Sequence, residues 1–98
     1  MERNEQIGHM ENILEEAADL IFSLADALQR YSEFQPRLRE LEAYYTGAQW
    51  RQDFEDDCAG KLPRDLKRGV LSEDAVDHLL WENRRLKERM AELAAPEA

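Results

Sequence analysis

Residues 7–31 read IGHMENILEEAADLIFSLADALQRY, and this stretch decides the fold class. Its apolar side chains recur at alternating spacings of three and four residues, the heptad pattern of an α-helix whose seam meets another helix. Ile13 and Leu20 on one side and alanines on the other widen the apolar arc to roughly 200°, about twice that of an ordinary surface helix. We therefore expect helix one, residues 1–34, to need neighbours on more than one side. The seam consists of Ile7, Met10, Leu14, Ala17, Ile21, Leu24, Leu28 and Tyr31.

Gln35-Pro36 predicts the end of that helix, because proline has no amide hydrogen and suits the first turn of a new helix. Residues 36–58 then hold helix two and a short helix, with a break at Thr46-Gly47 between them. The first two thirds of the chain are acidic, and the acidic part ends close to this region.

The rest of the chain predicts a loop and one more helix. Gly60, Pro63 and Gly69 punctuate a loop over residues 59–71, which we expect to pack on the last helix. Ser72 is a good N-cap, and Leu71 with Val76 forms a hydrophobic staple, so the last helix covers residues 72–95. The expected fold is all-α. It is one domain, residues 1–98, a small helical bundle with a long first helix, a proline-broken second helix, a packed loop and a C-terminal helix.

The net charge and its distribution limit the classes of molecule that the chain is expected to bind. The formal net charge is −9, and residues 1–60, with 5 basic and 14 acidic side chains, carry all of it. Residues 61–98 have 8 of each and are neutral. An acidic surface repels phosphate backbones, so we expect no direct binding of nucleic acid. Mimicry of a nucleic acid by the acidic part stays open as a weaker alternative.

Cys58 is the single cysteine, which excludes an intrachain disulfide and paired-cysteine zinc spacing. We expect a half-buried structural thiol, because the neighbouring Asp56 and Asp57 disfavour a reactive thiolate. No stretch has the roughly 20 apolar residues of a membrane span, and the charged N-terminus is unlike a signal peptide. The expected location is the cytoplasm, with no membrane partner.

The segment from Tyr44-Tyr45 to Asp74 is too particular to be generic helix. It contains Asp53-Phe54-Glu55, and Leu62-Pro63 leads into the run from Asp65 to Asp74. With Gln35-Pro36 before it and Glu82-Asn83 after it, the chain resembles a family of short bacterial proteins known as domain of unknown function 4298. The resemblance spans nearly the whole chain. It implies an all-helical fold and an unassigned function, and it brings no catalytic residues.

Two clusters have residue types that bind metals. Asp53, Glu55, Asp56 and Asp57 offer oxygen ligands, but they lack the spacing and glycine of a calcium loop. Asp74, His78 and Glu82 share one face of the last helix at successive four-residue spacings. A solvated turn and an exposed helix stripe are the simpler interpretations, so we expect no metal, no cofactor and no catalytic residues. A small metal-binding protein or enzyme using the Asp74/His78/Glu82 face remains the alternative.

The aromatic residues admit two interpretations. In the first, which we favour, the loop folds back and Trp50 and Trp81 anchor a small second core. In the second, they form an exposed patch at the centre of a protein–protein interface. Asn83 interrupts the apolar stripe of the last helix. It either fixes the register between helices, as single polar residues in such a stripe do, or bonds to backbone within one chain.

The sequence therefore favours a non-enzymatic helical interaction module that binds a protein partner or forms a homodimer. The homodimer would use Phe22 and the alanine edge of helix one. The possible interface residues are Phe22, Trp50, Trp81 and Asn83.

Overall fold

The computed structural model describes residues 2–96, which are helical apart from short connections. Helix α1 covers Arg3–Tyr45, α2 covers Ala48–Cys58, a 3₁₀ turn covers Gly69–Leu71 and α3 covers Glu73–Ala94. No residue between 2 and 96 is in a strand, and the predicted all-α class is confirmed.

Helix α1 runs through Pro36, so the predicted break at Gln35-Pro36, with separate helices at 1–34 and from 36, is wrong. Proline removes one backbone hydrogen bond and crowds the preceding turn, but it does not prevent good helix formers on both sides from continuing the helix. The side-chain amide of Gln35 donates to the carbonyl of Tyr31 over 3.0 Å and adds a bond in the disturbed turn. The predicted break at Thr46-Gly47 is confirmed, since α1 ends at Tyr45.

The chain forms two compact units, Met1–Leu38 and Arg39–Ala98. The first is a single helical stretch of α1, and none of its described residues is fully buried. The second unit contains the end of α1 together with α2, the 3₁₀ turn and α3, and it holds the buried core.

The core of the second unit is built around Trp50 on α2. Its indole ring is 8% exposed, and its Nε1 donates to the carbonyl of Val70 over 2.8 Å. Tyr45 packs edge-on against this ring at 4.9 Å between centroids, and Phe54 stacks on it at 5.2 Å. Because the indole nitrogen is satisfied by the loop backbone, a large aromatic ring can be buried without an unpaired donor. The buried apolar residues are Trp50, Leu71, Val76 and Leu80.

The loop after α2 is held at both ends. Gly60 has φ of +73°, and the amides of Gly60 and Lys61 donate to the carbonyls of Asp57 and Asp56. This is a Schellman motif, which favours glycine at the left-handed position. Arg68 donates to Asp57 at 2.5 Å and to the carbonyl of Pro63 at 2.7 Å. Leu71, at the end of the loop, is buried, and the 3₁₀ turn there packs on α3, whereas Leu66 and Val70 are exposed. The end of the loop therefore packs on the last helix as predicted.

Helix α3 begins as predicted. The hydroxyl oxygen of Ser72 accepts a bond from the amide of Ala75 at 3.3 Å, and the staple residues Leu71 and Val76 are both buried. The 3₁₀ turn packs on this first part of α3, where Leu80 is also buried.

Trp81 is 49% exposed, so the prediction that it anchors the second core is wrong. It follows Leu80 directly, and one residue turns a helix by about 100°, which directs the Trp81 ring away from the face that meets the 3₁₀ turn. Trp50 alone among the two tryptophans anchors the core.

Candidate interaction surfaces

The largest candidate surface is the apolar face of α1 in the first unit. Ten large apolar side chains between residues 7 and 34 are exposed, and all of them are at least 45% accessible. At about 100° per residue, nine of them lie within roughly half of the helix circumference, and Phe22 lies beside that arc. We call this set the α1 face. It comprises Ile7, Met10, Ile13, Leu14, Leu20, Ile21, Phe22, Leu24, Leu28 and Phe34.

The opposite strip of the same helix is polar and self-paired. Asp26 accepts from Arg30 at 3.1 Å, and Gln29 donates to Glu33 at 2.9 Å, both across one helical turn. Pairs of this kind are exposed and contribute only a few tenths of a kcal/mol each. The strip therefore keeps one side of α1 hydrated, and the apolar side lies opposite.

Two aromatic residues border the α1 face. Phe22, at 73% exposed, lies at its edge, where the polar strip begins. Phe34 lies at its C-terminal end, and the guanidinium of Arg37 is 5.4 Å from the centre of its ring. An exposed phenylalanine of this kind is a candidate anchor for a protein partner, so the predicted interface role of Phe22 remains a prediction.

Trp81 forms a smaller exposed patch on α3. The His78 ring stacks near it at 6.4 Å, and the Arg85 guanidinium lies 5.5 Å from its ring centre. Leu79 and Leu86 are exposed on the same helix, and Asn83 is half-buried between them in sequence. The interface roles of Trp81 and Asn83 stay predictions. Trp50, in contrast, is in the core and is not available to a partner.

The acidic run from 53 to 57 is tied into the fold. Asp53 accepts from the hydroxyl of Tyr44 at 2.6 Å and from the amide of Gln49 at 2.7 Å. The hydrogen bond to Asp53, followed by burial, raises the pKa of Tyr44 to about 12. Asp57 binds Arg68, as described above. These acids position α2 and its loop, which supports a structural role.

The second metal candidate is an exposed pair rather than a ligand set. His78 Nε2 lies 3.8 Å from a carboxylate oxygen of Glu82, and both side chains are more than half exposed. Within residues 2–96, no three histidine, cysteine, aspartate or glutamate side chains are placed to hold a metal ion together. The geometry thus gives the metal-binding alternative no support.

Cys58, the last residue of α2, is exposed, so the prediction of a half-buried structural thiol is wrong. Its position follows from the face that α2 buries. Trp50 and Phe54 point to the core, and Cys58 follows Phe54 by four residues on the same side of α2. Cys58 is nevertheless exposed, because it lies in the last turn of the helix, where the chain leaves through Gly60.

None of the described helices combines the length and the apolar character that crossing a membrane would require.

Sequence reasoning missed the exposed leucines of α3. Leu79 and Leu86 belong to the apolar stripe of the last helix that Asn83 interrupts, and each is more than 40% exposed. The lengths of the elements could have predicted this exposure. A three-residue turn and the eleven-residue α2 can cover only the first turns of the 22-residue α3. The pairs Tyr44–Asp53 and Arg68–Asp57 were also missed, since their partners are nine and eleven residues apart in sequence.

A family model described as a domain of unknown function, DUF4298, matches residues 7–93. The match includes all of the α1 face, the Trp50 core and nearly all of α3, and the chain belongs to this family. The resemblance seen in the sequence is confirmed. No curated protein and no solved structure matches the chain.

Proposed function

We propose that this member of the DUF4298 family is a non-enzymatic helical module that binds protein through the α1 face. The family carries no assigned function, so the proposal rests on the surfaces of this chain. The observation that carries it is the row of ten exposed apolar side chains between residues 7 and 34.

The size of the α1 face supports this proposal. Ten side chains that each expose about half of some 150 Å² present on the order of 800 Å² of apolar surface, whereas the largest patch on a typical monomer is roughly 300–600 Å². Surfaces above that range mark sites that a partner covers. The repeated three- and four-residue spacing suits a partner helix, because helices pack by inserting side chains of one between those of the other.

The acidic strip supports a protein partner over a membrane. An amphipathic helix that lies on an anionic membrane has lysine and arginine on its polar face. In the α1 strip, Glu15, Glu16, Asp19 and Asp26 are acidic, and Arg30 pairs with Asp26. Such a strip is repelled by anionic lipid headgroups.

The second unit supports a non-enzymatic role for the same module. Its most concentrated polar residues, the acids of 53–57, bind Tyr44, Gln49 and Arg68 and so stabilise the fold. We also propose a cytoplasmic location, because a single exposed thiol, Cys58, suits a reducing compartment.

Site-specific photocrosslinking in the native cells tests the proposal. A photoreactive residue replaces Leu24 in the α1 face or, as the matched control, Asp26 two residues away on the polar strip. We expect a covalent protein adduct from position 24 and none from position 26, with the adduct identified by mass spectrometry. The absence of an adduct at 24, or equal adducts at both positions, would contradict the proposal.

A further inference from the structure

We infer that the partner of the α1 face is the same helix of a second copy, running antiparallel, with the two-fold axis crossing the seam between Ala17 and Ile21, at the level of residue 19. This inference rests on the proposed function, because it names the partner of the surface proposed there. Three independent features of residues 2–38 lead to it: the register of the seam, the volumes that meet across it, and the distribution of charge.

The register of the seam suits an antiparallel pair. In that arrangement, the first apolar position of each heptad packs opposite the second apolar position of the partner. A two-fold axis at the level of residue 19 places residue n opposite residue 38 − n, and every seam residue from 7 to 31 then meets another seam residue. Examples are Ile7 with Tyr31, Leu14 with Leu24 and Ala17 with Ile21.

The side-chain volumes favour the same direction. Ala17 is the one small residue of the seam between Ile7 and Tyr31. In the antiparallel pair it meets Ile21, so small packs against large. A parallel pair would place Ala17 against Ala17 between two layers of larger residues and leave a void there, which close-packed interfaces avoid.

The charges oppose a parallel pair. Residues 2–19 contain six acidic and one basic side chain, a net −5, and residues 20–38 contain two of each, a net zero. A parallel pair would hold the two −5 segments side by side along their whole length. An antiparallel pair places each beside the neutral half of its partner, which removes most of that repulsion.

The extent of the face is sufficient for a dimer. The seam from residue 7 to residue 31 is about 36 Å long at 1.5 Å per residue. The apolar area of the α1 face is on the order of 800 Å² per copy. This equals the area that each partner contributes to a specific interface of standard size. A two-fold axis also lets one face serve both chains, so the seam side chains of both copies are covered at once.

Crosslinking between single cysteines tests the direction and register. In a Cys58→Ser background, Ile7→Cys and Tyr31→Cys are made separately, treated with a short bismaleimide alone or mixed, and run on denaturing gels. We expect a crosslinked dimer from the mixture and none from either variant alone, because Ile7 lies about 36 Å from Ile7 of the second copy. Crosslinking of Ile7→Cys alone would indicate a parallel pair and overturn the inference.

Light scattering across a concentration series gives an independent readout on the unmodified chain. We expect twice the monomer mass of 11.5 kDa at high concentration. Leu24→Asp should return the chain to a monomer, and the matched change Asp26→Asn should leave the dimer intact. A monomeric mass for the unmodified chain overturns the inference.

The photocrosslink at position 24 separates this inference from the proposed function. An adduct with a second copy supports both. An adduct with a different protein supports the proposed function and overturns the second copy as partner, and no adduct contradicts both.

Discussion

The indole Nε1 of Trp50 donates to the carbonyl oxygen of Val70 at 2.8 Å, across twenty residues of sequence. This bond joins α2 to the 3₁₀ turn, which itself packs on α3. One side chain therefore fixes the return of the loop, and it does so from the centre of the only buried cluster in the described residues 2–96.

Trp50→Ala should destabilise the second unit strongly, by about 3–5 kcal/mol, because it removes a buried ring and leaves the Val70 carbonyl without its donor. Trp81→Ala is the matched control. It removes an exposed ring of the same type, and its loss of contact with Arg85 should cost less than about 1 kcal/mol. Urea unfolding followed by circular dichroism measures both. Equal effects of the two changes would show that Trp50 does not anchor the core.

Gly60→Ala should destabilise the chain by about 1–2 kcal/mol, since the left-handed conformation at φ +73° is unfavourable for a residue with a Cβ atom. Space is not the reason, as a Cβ at Gly60 would meet nothing within 4 Å. Gly8→Ala makes the same chemical change within α1, also in open space, and should increase helix stability by about 0.5–1 kcal/mol. Thermal melts should shift in opposite directions, and a shift of both to higher temperature would refute the strain argument.

Stability should fall as the pH rises from about 10 to 12. The pKa of Tyr44 in the folded chain is about 12, and its ordinary value is 10, so the unfolded chain loses the phenol proton first. Below pH 10 the full contribution is present, and it is lost as the pH passes through the folded pKa. Burial, followed by a hydrogen bond with Asp77, also raises the pKa of Tyr45 to about 12.

Urea unfolding at pH 9, 10 and 11 measures this loss of stability. A double variant, Tyr44→Phe with Tyr45→Phe, is the control and should flatten the profile between these pH values. An unchanged slope in the double variant would assign the loss to other groups.

Pro36→Ala should stabilise α1 by up to about 3 kcal/mol, because alanine restores the amide donor and removes the crowding by the proline ring. Gln35→Ala, made with Pro36 in place, should destabilise α1, because it removes the hydrogen bond from the Gln35 side chain to the Tyr31 carbonyl. Helix content and melting temperature from circular dichroism report both changes. A lower melting temperature for Pro36→Ala would show that proline has a favourable role at this position.

The features that could be predicted from the sequence depend on neighbouring residues. The break at Thr46-Gly47 and the start of α3 at Ser72 follow from side chains within one turn of each site. The continuation through Pro36 could not be predicted in this way, since it depends on how well the turns on both sides tolerate a missing bond.

The choice between Trp50 and Trp81 depends on a contact between distant segments. Both residues are tryptophans on amphipathic helices, and local pattern does not distinguish them. The deciding fact is which face of α3 meets the 3₁₀ turn, and that is set by the path of the loop through Gly60 and Arg68. The exposure of the α1 face could not be predicted from the sequence either, because an apolar arc does not reveal what covers it.

The different environments of the two tryptophans make them separate optical probes. Trp50, enclosed by Tyr45 and Phe54, emits from an apolar site that water enters only on unfolding. Trp81, beside Arg85 on the surface of α3, is accessible to dissolved quenchers such as acrylamide. With the other residue changed to phenylalanine, emission from position 50 reports whether the second unit is folded, and quenching at position 81 reports whether anything covers α3. The same chain can thus be monitored for folding and for occupancy of its surface without an attached dye.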